Sequence, residues 1–123
     1  MSFEDTLGTC RFATLVELPV LAEAVRMATG WEFTEDDARD LGLRIVNLFR
    51  VYNYRCGHTR EMEAPSPRYG SPQVDGILAG KAVFPELDKM LDDYYRQMGW
   101  DTATGKPLPE TLKRLGLGYL DNP

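Results

Sequence analysis

The stretch from Thr34 to Tyr52 constrains the fold more than any other part of the chain. Thr34 suits a helix N-cap, and Glu35, Asp36 and Asp37 put negative charge where the positive end of the helix dipole lies. Ala38, Leu41, Ile45, Leu48 and Tyr52 then step by three and four, which predicts one buried face over about five turns. This should be the longest helix. Arg39, Asp40, Arg44 and Arg50 fall largely off the stripe and read either as a solvated face or as a contact with other protein.

Three shorter helices frame it. The first runs from Pro19 to Thr29, with proline where a first-turn N–H is not needed and Gly30 as the stop. Its expected core stripe is Leu21, Ala24, Val25 and Ala28. A second follows Leu87, Met90, Leu91, Tyr94 and Met98 to Gly99, and a short last one opens at Pro107-Leu108-Pro109 and closes after Leu115 at Gly116. Met1 to Cys10 has no helical period and reads as a loop.

Between the long helix and Leu87 the texture changes. Tyr54 to Pro85 holds four prolines and four glycines and few periodic apolar positions. So long a segment without its own regular structure is unusual inside a compact domain, and packing against other protein is the preferred reason. Val74, Ile77, Leu78, Val83 and Phe84 are then candidates for an exposed surface, which would invite self-association. The expected architecture is all-α, about four helices with one long irregular loop over residues 54–85, forming a single helical domain over residues 1–123.

Charge narrows the partners. The chain carries 19 acidic against 14 basic residues, a net charge of −5, so no basic face is available for nucleic acid. No run reaches the roughly 18 apolar residues needed to cross a bilayer, and two cysteines make no disulfide framework, so a reducing cytoplasm is the simplest compartment.

The chemistry concentrates in Asp5-Thr6-Leu7-Gly8-Thr9-Cys10, with Arg11-Phe12 behind it. Asp5 can accept hydrogen bonds from amino groups, Gly8 can let a ligand approach the backbone, and the Cys10 thiolate can bind a soft metal or an iron–sulfur cluster. A plain turn leading into a helix is the competing reading. This segment resembles the Asp-x-x-Gly-Leu-Cys stretch near the C-terminal end of tungsten-containing aldehyde ferredoxin oxidoreductases. The resemblance continues, in order, through Ala28-Thr29-Gly30-Trp31, Arg44-Ile45-Val46-Asn47-Leu48, Tyr52 to Arg60, Leu87 to Tyr95, Gly99-Trp100-Asp101, Gly105-Lys106-Pro107 and Leu115-Gly116-Leu117.

What the resemblance implies is specific. Cys10 would be one of four ligands of a [4Fe-4S] cluster, the other three coming from elsewhere in the polypeptide. Asp5 would hydrogen-bond pterin amino groups of a tungsten-bis-pterin cofactor. Thr9, where the family usually has leucine, and Arg11 would touch the pterin mainly through backbone. The complete enzyme would oxidise an aldehyde to a carboxylic acid and pass electrons to ferredoxin, with tungsten or molybdenum as the metal. The remaining domains, ferredoxin and the aldehyde are the implied partners. The isolated chain, with one thiolate ligand of four, is expected to be inactive and to hold neither cofactor. No catalytic acid or base is assigned to it.

Cys56 and His58 form a Cys-x-His pair that, with Cys10, could suggest zinc, but no fourth ligand stands nearby in sequence and local variation is the preferred reading. The competing hypothesis for the whole chain is an autonomous small helical subunit or interaction protein derived from such a domain, without redox activity.

Overall fold

The computed structural model describes residues 2–10, 12 and 17–121. Six α-helices are described, with no strand among the described residues: α1 (Ser2–Thr6), α2 (Leu18–Thr29), α3 (Glu35–Arg55), α4 (Pro67–Gly70), α5 (Leu87–Met98) and α6 (Pro109–Arg114). The all-α expectation holds, and α2, α3, α5 and α6 are the four helices read from the sequence. The chain divides into two compact units, Met1–Val51 with Pro109–Pro123, and Tyr52–Leu108; the division falls inside α3. No described helix is long and apolar enough to cross a membrane.

In the first unit the helix ends lie where the capping residues put them. Pro19 occupies the first turn of α2, and Gly30 ends it at φ 74°, donating its N–H to the Arg26 carbonyl. At the start of α3, Thr34 and Asp37 cap reciprocally. The Asp37 N–H donates to Thr34 Oγ1 at 3.2 Å, while the Thr34 N–H and hydroxyl donate to Asp37 Oδ2 at 2.8 and 2.6 Å. These bonds satisfy N–H groups that a helix start otherwise leaves open. They also hold the Asp37 carboxyl below the usual carboxylate range, through the Thr34 side chain first and its backbone second.

Two apolar clusters hold this unit. Phe3, Leu21, Ala22 and Ala38 form the first, backed by Leu7, Leu18, Val25, Phe33 and Leu41, with the Phe3 and Phe33 rings stacked at 5.6 Å. Leu112, Leu115 and Leu117 form the second, backed by Leu43, Val51 and Leu120.

Two expectations fail here. Met1 to Cys10 is not all loop: residues 2–6 form α1, because Phe3 buries its ring while Glu4 and Asp5 sit in the first turn. Five residues are too few for a periodicity to register. The predicted faces of α2 and α3 are also displaced. Ala22 is buried on α2 while Ala24 and Ala28 are exposed. On α3, Leu48 is 44% exposed and Tyr52 is exposed as well, whereas Asn47 is fully buried with its Nδ2 donating to the Leu43 carbonyl at 2.9 Å. A polar residue that bonds within its own helix can face a core that hydrophobicity alone assigns to its neighbour.

The second unit contains the long irregular segment. It is organised by short pieces: a 3-10 turn at Arg60–Glu63, α4, and a second 3-10 turn at Phe84–Glu86. Between them an isolated bridge pairs Gln73 with Ala79. Val74, Ile77 and Leu78 are exposed as the sequence predicts, while Val83 is half-buried. The core of this unit is aromatic. Tyr95 and Trp100 are buried with ring centroids 5.8 Å apart, and Tyr94 meets Trp100 edge-on at 5.5 Å. On α5, Tyr95 is buried while Tyr94, which lies on the helical period read from the sequence, is exposed.

Candidate functional site

The Asp5 to Cys10 segment begins in the last two residues of α1, turns at Leu7 and Gly8, and runs on through Thr9 to Cys10. Burial of Phe3 anchors the helix, and the Thr6 hydroxyl donates back to the Phe3 carbonyl at 2.6 Å. The chain then leaves the helix through Leu7, whose N–H meets the Glu4 carbonyl at 3.0 Å, and Gly8, whose N–H meets the Asp5 carbonyl at 3.4 Å. Gly8 has φ +66°, a conformation that favours glycine, and among the described residues no atom lies within 4 Å of where a β-carbon would stand. The backbone at Gly8 is therefore open to close approach by another group.

Asp5, Thr9 and Cys10 are all exposed around this turn. Arg11, the fourth residue assigned from the sequence, lies outside the described residues. Neither Cys10 nor Cys56 forms a disulfide. Among the described residues no three side chains of His, Cys, Asp or Glu converge as a metal cage. The donor set at this turn is thus one exposed thiol and one exposed carboxylate. That fits a residue supplying a single ligand to a cluster completed by other protein, and it does not fit a self-contained metal centre.

The second unit brings together a polar network that the sequence does not announce. His58 Nε2 lies 3.1 Å from Glu63 Oε1, and the Tyr95 hydroxyl donates to Glu63 Oε2 at 2.8 Å. Arg60 lies over the Tyr95 ring, 5.2 Å from its centroid. Its guanidinium reaches Asp92 Oδ1 at 2.9 Å and Asp88 Oδ1 at 3.5 Å, and donates to the Thr102 carbonyl. Burial works against the charge on Arg60, yet the hydrogen bond and charge of Asp92, with Asp88 and Tyr95, raise its pKa above the ordinary value. The His58 ring also meets Tyr54 edge-on at 5.6 Å, and the Tyr54 hydroxyl donates to the Thr104 carbonyl. The hydrogen-bond partner of His58 is therefore a carboxylate, and Cys56 is exposed at the end of α3.

A cleft of about 390 Å³ opens beside this network, walled by Tyr54, His58, Thr59, Arg60, Thr104 and Lys106 among others. Its charged groups are largely engaged with neighbours. Thr59 holds the Glu61 carboxyl below the usual range, and Lys106 Nζ stands 5.8 Å from the Tyr54 ring centroid. These groups serve chiefly to fasten the irregular segment.

Comparison with known proteins places the chain in a defined company. The family described as aldehyde ferredoxin oxidoreductase, domains 2 and 3, matches residues 1–117. The tungsten-containing aldehyde ferredoxin oxidoreductase of Pyrococcus horikoshii is 34% identical over 116 residues, covering 92% of this chain and 19% of the relative. That of Pyrococcus furiosus is 33% identical with the same coverage, and that of Thermococcus kodakarensis 29%. The chain thus spans about a fifth of the length of these relatives, 19% in each case. Among solved structures, the active-site complex BamBC of benzoyl coenzyme A reductase with 1,5-dienoyl-CoA aligns with a TM-score of 0.66 and 30% identity. That alignment covers 85% of this chain and 14% of the other.

Proposed function

Because the chain belongs to the aldehyde ferredoxin oxidoreductase family, within its domains 2 and 3, we propose that it is the cofactor-contacting helical part of a larger tungsten-containing oxidoreductase. Cys10 supplies one thiolate of the four that hold a [4Fe-4S] cluster. Asp5 accepts hydrogen bonds from the amino groups of a pterin, and Thr9 and Arg11 border the same ligand through their backbone. When bound, the tungsten-bis-pterin and the cluster would supply the oxidation of an aldehyde to a carboxylic acid, with water giving the oxygen atom, two protons released and two electrons passed toward ferredoxin. The protein's part is to hold one carboxylate and one thiolate on a single turn, so that pterin and cluster are gripped by one piece of chain. A short separation keeps electron transfer fast. The reducing cytoplasm is the compartment in which such a thiolate stays available.

The observation that carries this reading is the exposed Cys10 thiol two residues beyond the open, positive-φ turn at Gly8, with Asp5 on the same turn. The test begins with an antibody against this chain, used to isolate the reactive species from its source under anaerobic conditions. A species several times larger than 13.9 kDa, carrying iron and tungsten and reducing ferredoxin with an aldehyde, is the expected result. In that species Cys10→Ser should lower cluster iron and stop electron delivery, since a serine oxygen matches iron–sulfur chemistry poorly. A variant with a full cluster and unchanged turnover would remove Cys10 from the ligand set.

The likeness to the benzoyl coenzyme A reductase complex favours a second reading of the substrate. In it the same turn serves an enzyme that acts on a coenzyme A thioester in place of an aldehyde. Assaying the purified species with both substrate classes separates the two, because only the competent one will exchange electrons with the cluster.

A further inference from the structure

Helix α2 has two adjoining apolar faces, and among the described residues only one is covered. Leu18, Leu21, Ala22 and Val25 turn into the first cluster of the unit. Val20, Ala24, Met27 and Ala28 lie on the adjoining sector of the helix at spacings of four, three and one, spanning about 100° next to the buried face. All four are exposed, Val20 by 56% and Met27 by 77%, and Trp31, just beyond the helix, is 66% exposed.

The charged residues of α2 do not mark that second face as solvated. Only Glu23 and Arg26 carry charge in the twelve residues of the helix. They pair with each other, with Arg26 Nη2 2.6 Å from Glu23 Oε1 and Nε 2.7 Å from Oε2. The pair is electrically self-contained on the remaining side. A helix that is apolar over most of its circumference is one that a folded protein buries.

We propose that the outward face of α2 is a docking surface for the polypeptide that completes a family-length enzyme around this chain. The occupant is chosen on length and chemistry. The chain amounts to 19% of the relatives it matches, so most of a family-length protein is available to cover the face. The face itself is uncharged and built of small and medium apolar groups, which calls for an apolar protein surface rather than a charged ligand. The proposal rests on the reading of this chain as part of a larger enzyme, and it is independent of the role of Cys10.

Methionine oxidation tests it without substitution, because peroxide converts an accessible thioether to the sulfoxide. The antibody-purified native species is treated briefly with peroxide, and Met27 oxidation is read by peptide mass analysis against the same species unfolded in urea. Met27 should be oxidised roughly tenfold more slowly in the native species, and the protection should survive dilution. A rate within about twofold of the unfolded reference in a large, metal-bearing species would overturn the docking surface while leaving the proposed function standing. Protection that fades on dilution would assign the face to a second copy and overturn it too. A native species of 13.9 kDa with no companion would overturn both readings together.

Discussion

Replacing Gly70 by alanine sets two effects of opposite sign against each other, and the structure decides which wins. Gly70 is the last residue of α4, where alanine gains up to about 1 kcal/mol of helix propensity over glycine. Against that, a β-carbon at Gly70 would lie 2.3, 2.4 and 2.6 Å from Cζ, Cε2 and Cε1 of Phe84. Carbon atoms in contact prefer about 3.5–4.0 Å, so the ring must retreat by more than about 1 Å. Phe84 is 42% exposed, so more than half of the residue is covered. For a side chain that buries roughly 200 Å² in full, evicting it forfeits about 3 kcal/mol at about 25 cal/mol/Å². Partial displacement costs less, in the overpacking range of about 1–3 kcal/mol. The expected net effect of Gly70→Ala is a loss of about 1–2 kcal/mol, measured as a lower urea midpoint at unchanged slope. In a Phe84→Ala background the clash is gone and the same substitution should be neutral or stabilising by up to about 1 kcal/mol. An equal effect of Gly70→Ala in both backgrounds would refute the argument, because the cost would then not come from the ring.

Other perturbations follow from the same geometry. Tyr95→Phe removes the hydroxyl that donates to Glu63 and should cost about 1.5–3 kcal/mol in urea unfolding, so an unchanged midpoint would mean the bond contributes nothing. Leu112→Ala, in the core of the first unit, should cost about 2–5 kcal/mol, while Leu48→Ala on α3, where just over half of the residue is covered, should cost about 1 kcal/mol; a reversal of that order would overturn the assignment of the buried face. The Asp37 carboxyl titrates below its ordinary value of 3.8 in the folded chain. Its contribution is therefore fully present above the unfolded value and disappears as pH falls through the folded one. Asp37→Asn should lower thermal stability at neutral pH, and the difference from wild type should close in strong acid; a gap constant with pH would exclude that titration. The isolated 123-residue chain, reconstituted anaerobically, should hold iron and tungsten well below one cluster and one tungsten per chain, which metal analysis reads directly.

Helix boundaries were legible because capping is local chemistry. Pro19 and Gly30, Thr34 and Asp37, and Gly99 after α5 each act within a few residues of the end they define. At Asp5 to Cys10 the residue types stood out in the sequence, but the helix that carries Asp5 and Thr6 did not, because five residues are too few for a period to register. Interior faces were less so. Asn47 on α3 displaces Leu48 from the core because its amide is satisfied by the carbonyl of Leu43. The His58, Glu63 and Tyr95 network joins residues separated by 5 and 32 positions, and no spacing in the sequence predicts that they meet. The segment read only as irregular is thus fastened by a carboxylate, an imidazole, a phenol and a guanidinium, each meaningful only once the chain is folded.

The residues whose burial was overestimated point the same way as α2. Ala24, Ala28, Leu48 and Tyr52 lie on the stripes that the sequence period turns toward a core, and all four are exposed. A hydrophobic period records what covers a residue in the working protein, whichever part of the polypeptide provides the cover. Exposed apolar side chains scattered singly need no explanation, but α2 presents them in register along one face. The Glu23–Arg26 pair keeps charge off that face by satisfying itself. If solvent were the permanent neighbour of the face, replacing Ala24 or Ala28 with glutamate would leave the native species intact. If protein covers it, either substitution places an unpaired carboxylate in an apolar contact, and the native species should lose its large form while the helix itself, exposed at those positions, stays folded.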